Sequence, residues 1–130
     1  MKKILFFLLI GGSALFMASC TKRYDETTPN RSYVTTVKST DWTVTSDGKA
    51  DSVSIKADQI RDFFNTGGVL VYFSFEQGSY EQVPEVYNNV SYSYYNDAGN
   101  LVLYSQNAAG TAPVKPTQDI GVKLVLVAAE

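Results

Sequence analysis

The sequence of 130 residues contains no histidine and a single cysteine, Cys20. Without histidine it cannot form a Ser-His-Asp triad or a Cys-His nucleophile pair, and it has no imidazole base that titrates near neutral pH. Zinc and copper sites draw mainly on histidine and cysteine, so we expect no metal centre and no cofactor. One cysteine cannot close an internal disulfide, and packing alone must therefore stabilise the fold.

Basic residues are also few, with 11 Lys and Arg against 13 Asp and Glu and a net charge of −2 at pH 7. Nucleic-acid binding relies on clustered Lys and Arg that contact phosphates, so the composition argues against a nucleic-acid partner. A membrane-spanning helix needs roughly 20 apolar residues in succession. The apolar stretch near the N-terminus is interrupted by Gly11-Gly12-Ser13 and is too short to span.

The first twenty residues follow the order of an export signal. Two lysines precede the apolar run 4–10, and the small pair Ala18-Ser19 comes directly before Cys20. A small pair before cysteine resembles the lipobox of bacterial lipoproteins, whose cysteine is diacylated and becomes the mature N-terminus. The resemblance implies that residues 1–19 are a lipoprotein signal peptide and that Cys20 carries the lipid. It also implies export and anchoring to the outer membrane, on its periplasmic or cell-surface face.

Residues 20–32 contain Pro29 and no apolar periodicity, which predicts a flexible tether. From Tyr33 onward, short β-branched and aromatic runs alternate with turn residues, which predicts a single all-β domain over residues 33–130. We expect an antiparallel β-sandwich of about six to eight strands. The predicted strands are 33–37, 42–45, 52–56, 69–75, 90–95, 101–104 and 120–126, with 69–75 as a central strand covered on both faces.

One segment breaks the β pattern. Ile60, Phe63 and Phe64 fall at i, i+3 and i+4, which predicts one short amphipathic helix near residues 58–65. Asp58 is the predicted N-cap, and Gly67-Gly68 is predicted to end the helix in the left-handed conformation. We expect five residues from the helix and the strands to share one core: Trp42, Phe63, Val71, Phe73 and Leu124.

Several of these features together resemble a known group of proteins. They are Trp42 after the first strand, Ile60 with the Phe63-Phe64 pair, the run 67–72, Val83-Pro84 and the closing run 122–126. The order resembles small lipid-anchored or secreted β-sandwich proteins of Gram-negative bacteria, of unknown function, a type that sometimes follows collagen-like repeats. The resemblance implies the fold and the location and supplies no catalytic residues. The chain has no Gly-X-Y repeats, so it implies no collagen-like stalk.

Three carboxylates fall in and around the loop after the predicted central strand: Glu76, Glu81 and Glu85. A pair at a suitable separation could serve as the acid and base of a glycan-active hydrolase. That chemistry needs one carboxyl group buried in a cleft, whereas these residues stand among polar, solvated neighbours. We therefore favour a non-catalytic protein, with the small hydrolase as the alternative. The acidic loops 47–51 and 96–100 offer oxygen ligands for calcium, but their spacing matches turns instead.

Tyrosine is abundant between residues 72 and 104 and suits either sheet packing or a binding surface. If a binding surface exists, Tyr80, Tyr87 and Tyr95 are its candidate residues. Asp51-Ser52-Val53 resembles the short sequon for O-glycosylation in some Gram-negative periplasms, which makes Ser52 a possible modification site. The expected function is that of an outer-membrane lipoprotein, an interaction or structural module of the cell envelope, with the membrane and a protein or glycan ligand as its partners.

Overall fold

The structure is a computed structural model that describes residues 29–129. The predicted signal peptide, the lipidation site Cys20 and tether residues 20–28 lie outside the described residues. The first strand begins at Arg31, so the last two residues of the predicted tether, Arg31 and Ser32, belong to a paired strand.

Nine strands form two antiparallel sheets in the described part of the chain. They are β1 (Arg31–Val37), β2 (Thr43–Val44), β3 (Asp51–Lys56), β4 (Gly68–Ser74), β5 (Glu81–Val83), β6 (Glu85–Tyr87), β7 (Val90–Asn96), β8 (Asn100–Asn107) and β9 (Ile120–Val127). The first sheet has the order β1-β9-β4-β5 and the second has the order β2-β3-β8-β7-β6. The prediction of an all-β sandwich is confirmed.

The core lies between the inner faces of the two sheets. Strand β9 shows how the sequence produces it, because its apolar residues alternate and successive side chains in a strand point to opposite faces. Ile120, Val122, Leu124 and Leu126 are all buried, while the residues between them are partly exposed. The five predicted core residues are all buried in one cluster: Trp42, Phe63, Val71, Phe73 and Leu124.

Strand β4 is an interior strand of the first sheet, but only one of its faces is covered. Val71 and Phe73 are fully buried, whereas Leu70 and Tyr72 are partly exposed on the outer face. The prediction that both faces are covered is therefore wrong. An apolar run of this length fits a strand of either kind, and only the position of the sheet distinguishes them.

The predicted helix is present as two turns of 3₁₀-helix at Asp58–Phe63. Because a 3₁₀-helix has 3.0 residues per turn, Ile60 and Phe63 lie one above the other and are both buried. Phe64 falls outside this stripe and is 42% exposed. The residue in the N-cap position is Ala57 and makes no side-chain cap, so the assignment of Asp58 as N-cap is wrong.

Gly67 and Gly68 end this segment without a left-handed conformation, which corrects the prediction. Among the glycines of residues 29–129, the positive φ angles lie at Gly48, Gly78, Gly99 and Gly110. Gly67 is required for another reason, since a Cβ there would collide with the carbonyl oxygen of Val127. The absence of a side chain lets the end of the helix pack directly against β9.

Strands β5 and β6 have three residues each and were not predicted. The chain passes between them through the cis Val83–Pro84 peptide bond, leaving the first sheet and entering the second. This crossing sets the positions of the candidate functional residues Glu81, Glu85 and Tyr87.

Candidate functional site

The structure separates Glu76 from the other two candidate carboxylates. Glu76 is exposed in the loop after β4. Glu81 lies on β5 opposite Phe73 of β4, and Glu85 lies on β6 opposite Tyr92 of β7. Phe73 and Tyr92 are both buried, so Glu81 and Glu85 lie on the inner faces of the two sheets, at the edge where the chain crosses between them.

The side chains of Glu81 and Glu85 meet at this edge. The pKa of Glu85 is raised from 4.5 to about 7, first by burial and then by the charge of Glu81 and a hydrogen bond with its side chain. The Oε1 atom of Glu85 is buried and no hydrogen-bond donor of a protein N–H or hydroxyl group reaches it. With this raised pKa, Glu85 keeps its proton to a higher pH than an ordinary glutamate does.

We expect Glu85→Gln to stabilise the protein at pH 8 and to flatten its pH dependence. In the wild type the folded state keeps a proton that the unfolded state loses, so the free energy of unfolding falls as the pH rises from 4.5 to about 7. A shift of this size corresponds to roughly 3 kcal/mol. Since the pair is partly exposed to water, which screens it, we expect about 1–2 kcal/mol. Urea unfolding at several pH values measures this.

The matched control for this measurement is Glu76→Gln, which removes the same charge from an exposed loop residue. It should leave both the stability and its pH dependence within about 0.5 kcal/mol of the wild type. A Glu85→Gln variant that loses stability between pH 4.5 and 7 as steeply as the wild type would contradict the raised pKa of Glu85.

An aromatic cluster borders the carboxyl pair. The rings of Phe75 and Tyr87 are stacked with centroids 4.3 Å apart and an interplanar angle of 1°. Tyr92 packs against Phe75 at 5.0 Å and against Phe73 at 5.6 Å. These contacts join the end of β4 to β6 and β7, so the cluster spans both sheets.

A cavity of about 230 Å³ opens beside this cluster. Phe75, Tyr87 and Tyr92 form its aromatic wall, and the loop 114–118 forms its polar side. The Gln118 amide fixes that loop by donating a hydrogen bond to the carbonyl oxygen of Phe75 at 3.2 Å. We refer to this cavity as the aromatic pocket. Its combination of flat rings with nearby amide and ammonium groups is typical of small-ligand sites.

The turn between β6 and β7 places Tyr87 in the aromatic pocket. Asn88 and Asn89 both have positive φ angles, of 50° and 63°, as a two-residue hairpin turn of the primed type requires. Tyr87 and Val90 are paired across this turn. The adjacent asparagines are a local sequence signal for this hairpin, because asparagine adopts positive φ angles more readily than most residues.

The three candidate tyrosines lie in different parts of the molecule. Tyr87 is inside the aromatic pocket. Tyr80 is exposed, and its ring lies 4.2 Å from the ammonium group of Lys123, a residue on the outer face of the first sheet. Tyr95 is exposed on the second sheet, pairing with Val102 of β8. They do not form one surface, so each has to be tested separately.

Ser52, the possible O-glycosylation site, is half-buried within β3, between Thr43 and Tyr104 of the neighbouring strands. Its modification stays a prediction. In the two acidic loops, Asp47 accepts hydrogen bonds from Thr45 and Lys49, and Asp97 accepts them from Asn100, as turns do. Among residues 29–129, no group of three or more carboxylate, histidine or cysteine side chains is placed to hold a metal ion.

Within the described part of the chain, no helix has the length and apolar character needed to cross a membrane. Comparison of the sequence with protein-family models and with curated proteins, and of the structure with solved structures, found no match.

Proposed function

We propose that this protein is a non-catalytic, lipid-anchored module of the bacterial outer membrane that binds a small ring-shaped group of a glycan or protein ligand. The observation that carries the binding part is the stacked pair Phe75–Tyr87 at the wall of the aromatic pocket. The anchoring part is supported by the order of residues 2–20, which resembles a lipoprotein signal ending at Cys20.

The dimensions and lining of the aromatic pocket favour a ligand that enters with a single ring. About 230 Å³ is less than the usual range for drug-sized ligands, which starts at roughly 300 Å³. Aromatic faces bind the apolar side of a sugar or another aromatic ring, while the nearby Asn88 and Lys115 can bond to its polar edge. Binding that depends on one ring is weak, and we expect dissociation constants in the micromolar range or above.

The alternative function is a small hydrolase that uses the carboxylates. The raised pKa of Glu85, whose side chain lies beside that of Glu81, is the observation in its favour. Glycosidases however hold their two carboxyl groups about 5–5.5 Å or about 6.5–9.5 Å apart, so that the substrate or water fits between them. A hydrogen bond between the side chains of Glu81 and Glu85, one of the causes of the raised pKa of Glu85, would bring the two groups closer than either spacing, and we therefore keep the binding module as the proposal.

Ligand titration followed by NMR tests the binding module. We expect some members of a panel of soluble oligosaccharides and aromatic peptides to shift the amide signals of Asn88, Lys115 and Gln118. Tyr87→Ala should weaken that binding at least tenfold, because loss of one stacking face corresponds to about 1.4 kcal/mol. Tyr87→Phe, which keeps the ring, should retain most of it.

Tyr95→Ala and Tyr80→Ala are the controls, since both remove an exposed tyrosine outside the aromatic pocket. A thermal melt of each variant checks that the fold persists. A ligand that binds Tyr87→Ala as tightly as the wild type must dock elsewhere. Hydrolysis of a panel member that Glu85→Gln abolishes would instead favour the hydrolase.

A further inference from the structure

Strand β1 differs from the other edge strands of the described structure. The edges of the two sheets are β1 and β5 in the first sheet and β2 and β6 in the second. β2, β5 and β6 have only two or three residues, whereas β1 has seven. An edge strand has a row of unpaired N–H and C=O groups that can pair with another strand, and short edges limit this pairing.

β1 also lacks the features that usually protect a long edge. It contains no proline, and it pairs with β9 without a bulge from Arg31–Leu126 to Val37–Ile120. Its only charged residue, Arg31, is at its start. At its centre Val34 is 65% exposed. The short edges β5 and β6, by contrast, carry Glu81 and Glu85.

The space beside β1 is open. Two cavities, of about 550 Å³ and about 240 Å³, border this strand and lie between it and β3 of the second sheet. Thr35 and Ile55 line both of them, so the opening runs along much of the strand. Strand β3 therefore does not cover the free edge of β1, and an extended segment can approach it.

We propose that β1 pairs with β1 of a second copy of this chain, antiparallel and about a two-fold axis at Val34. In this register Arg31 faces Val37, Ser32 faces Thr36, Tyr33 faces Thr35 and Val34 faces Val34 of the other copy. The pairs combine β-branched, aromatic and hydroxyl side chains, which stabilise antiparallel pairing, and no two like charges face each other. The strand is thus complementary to itself, and the two first sheets become one sheet of eight strands.

The strength expected for this dimer follows from its small contact. A single pair of seven-residue strands lies at the low end of interface size, where complexes are weak and transient. We expect a dissociation constant in the micromolar range. Covalent cross-linking, which accumulates the dimer over time, is therefore a better test than a measurement of the protein's size at equilibrium.

Cysteine cross-linking tests the proposal in the full chain carrying Cys20→Ala, so that an introduced cysteine is the only thiol. Three valines offer matched positions, since Val34, Val44 and Val86 are 65%, 60% and 61% exposed. Under mild oxidation we expect Val34→Cys to form a disulfide dimer at least ten times faster than Val44→Cys or Val86→Cys. Paired residues in antiparallel strands have Cβ atoms about 4.5–5.5 Å apart, close enough for this bond with slight adjustment.

The register is tested with Ser32→Cys and Thr36→Cys. When either variant is used alone, the two introduced thiols of the proposed dimer lie about 14 Å apart, because they are four residues apart along the paired strands at ~3.4 Å per residue. A mixture of the two variants places unlike thiols opposite each other and should cross-link at least ten times faster than either variant alone. Equal cross-linking rates for the three Val→Cys variants would overturn the proposed dimer. This result is also expected if β1 binds a different protein. Equal rates in the mixture and in the single variants would overturn the antiparallel register.

Discussion

Phe63→Ala is expected to destabilise the protein by about 3–5 kcal/mol, the usual cost of truncating a buried aromatic side chain. Phe63 belongs to the single core cluster and is 2% exposed at the end of the 3₁₀-helix. The helix packs there against β4 and β9, so the deletion leaves a cavity at a junction of three elements. Domains of this size have a total stability of roughly 5–15 kcal/mol, and the variant should be largely unfolded well below the melting temperature of the wild type.

The neighbouring residue supplies the control. Phe64→Ala removes the same atoms from a side chain that is 42% exposed, and we expect it to cost less than about 1 kcal/mol. Urea denaturation of both variants gives the comparison. Similar losses in the two variants would contradict the 3₁₀ geometry, because an α-helix would bury Phe64 together with Ile60 and Phe63.

Cys20→Ala is expected to abolish membrane association. Each buried CH₂ group of an acyl chain contributes about 0.8 kcal/mol to membrane binding, and stable anchoring needs two signals such as a second chain. The substitution removes the cysteine that carries both acyl chains. It also puts an alanine directly after the small pair Ala18-Ser19, which then matches an ordinary signal-peptidase site, so the protein should be exported and released. Partitioning between detergent and aqueous phases measures the loss.

The control for the anchor is Ser19→Ala, which keeps a small residue directly before the cysteine and should leave the protein in the detergent phase. If the Cys20→Ala protein remains in the detergent phase, the apolar segment 4–16 rather than a lipid holds it. That result would contradict the lipoprotein proposal without affecting the ligand proposal, which depends on the aromatic pocket.

The sequence predicted the longer strands because their signal is local. In β9 the alternation of apolar residues matches the two-residue period of a strand. The hairpin of β7 and β8 was predicted from the turn 96–100, and Gly99 has a φ of 142° there. Tyr92 is buried and Tyr95 is exposed, because residues three apart in a strand point to opposite faces.

Short elements were predicted less well, because pairing with distant residues defines them. Strands of three residues such as β5 and β6 have too few positions to show a period, and they exist because β4 and β7 lie beside them. The helix contacts β4 and β9. The spacing of Ile60 and Phe63 fits both helix types, whereas the addition of Phe64 fits only an α-helix, so the apolar pattern did not predict the 3₁₀ form.

Composition and local patterning predicted the fold class and five residues of the core, and the lack of histidine and of a second cysteine rules out several kinds of active site. The positions of the candidate site residues depend instead on how the two sheets pack. Glu81 and Glu85 are four residues apart, a distance of about 13 Å along one continuous strand. The crossing at Val83–Pro84 places them in two sheets that face each other, and their carboxyl groups meet. Tyr87 is half-buried and lines the aromatic pocket, because the face that a strand residue occupies depends on the register of its neighbour.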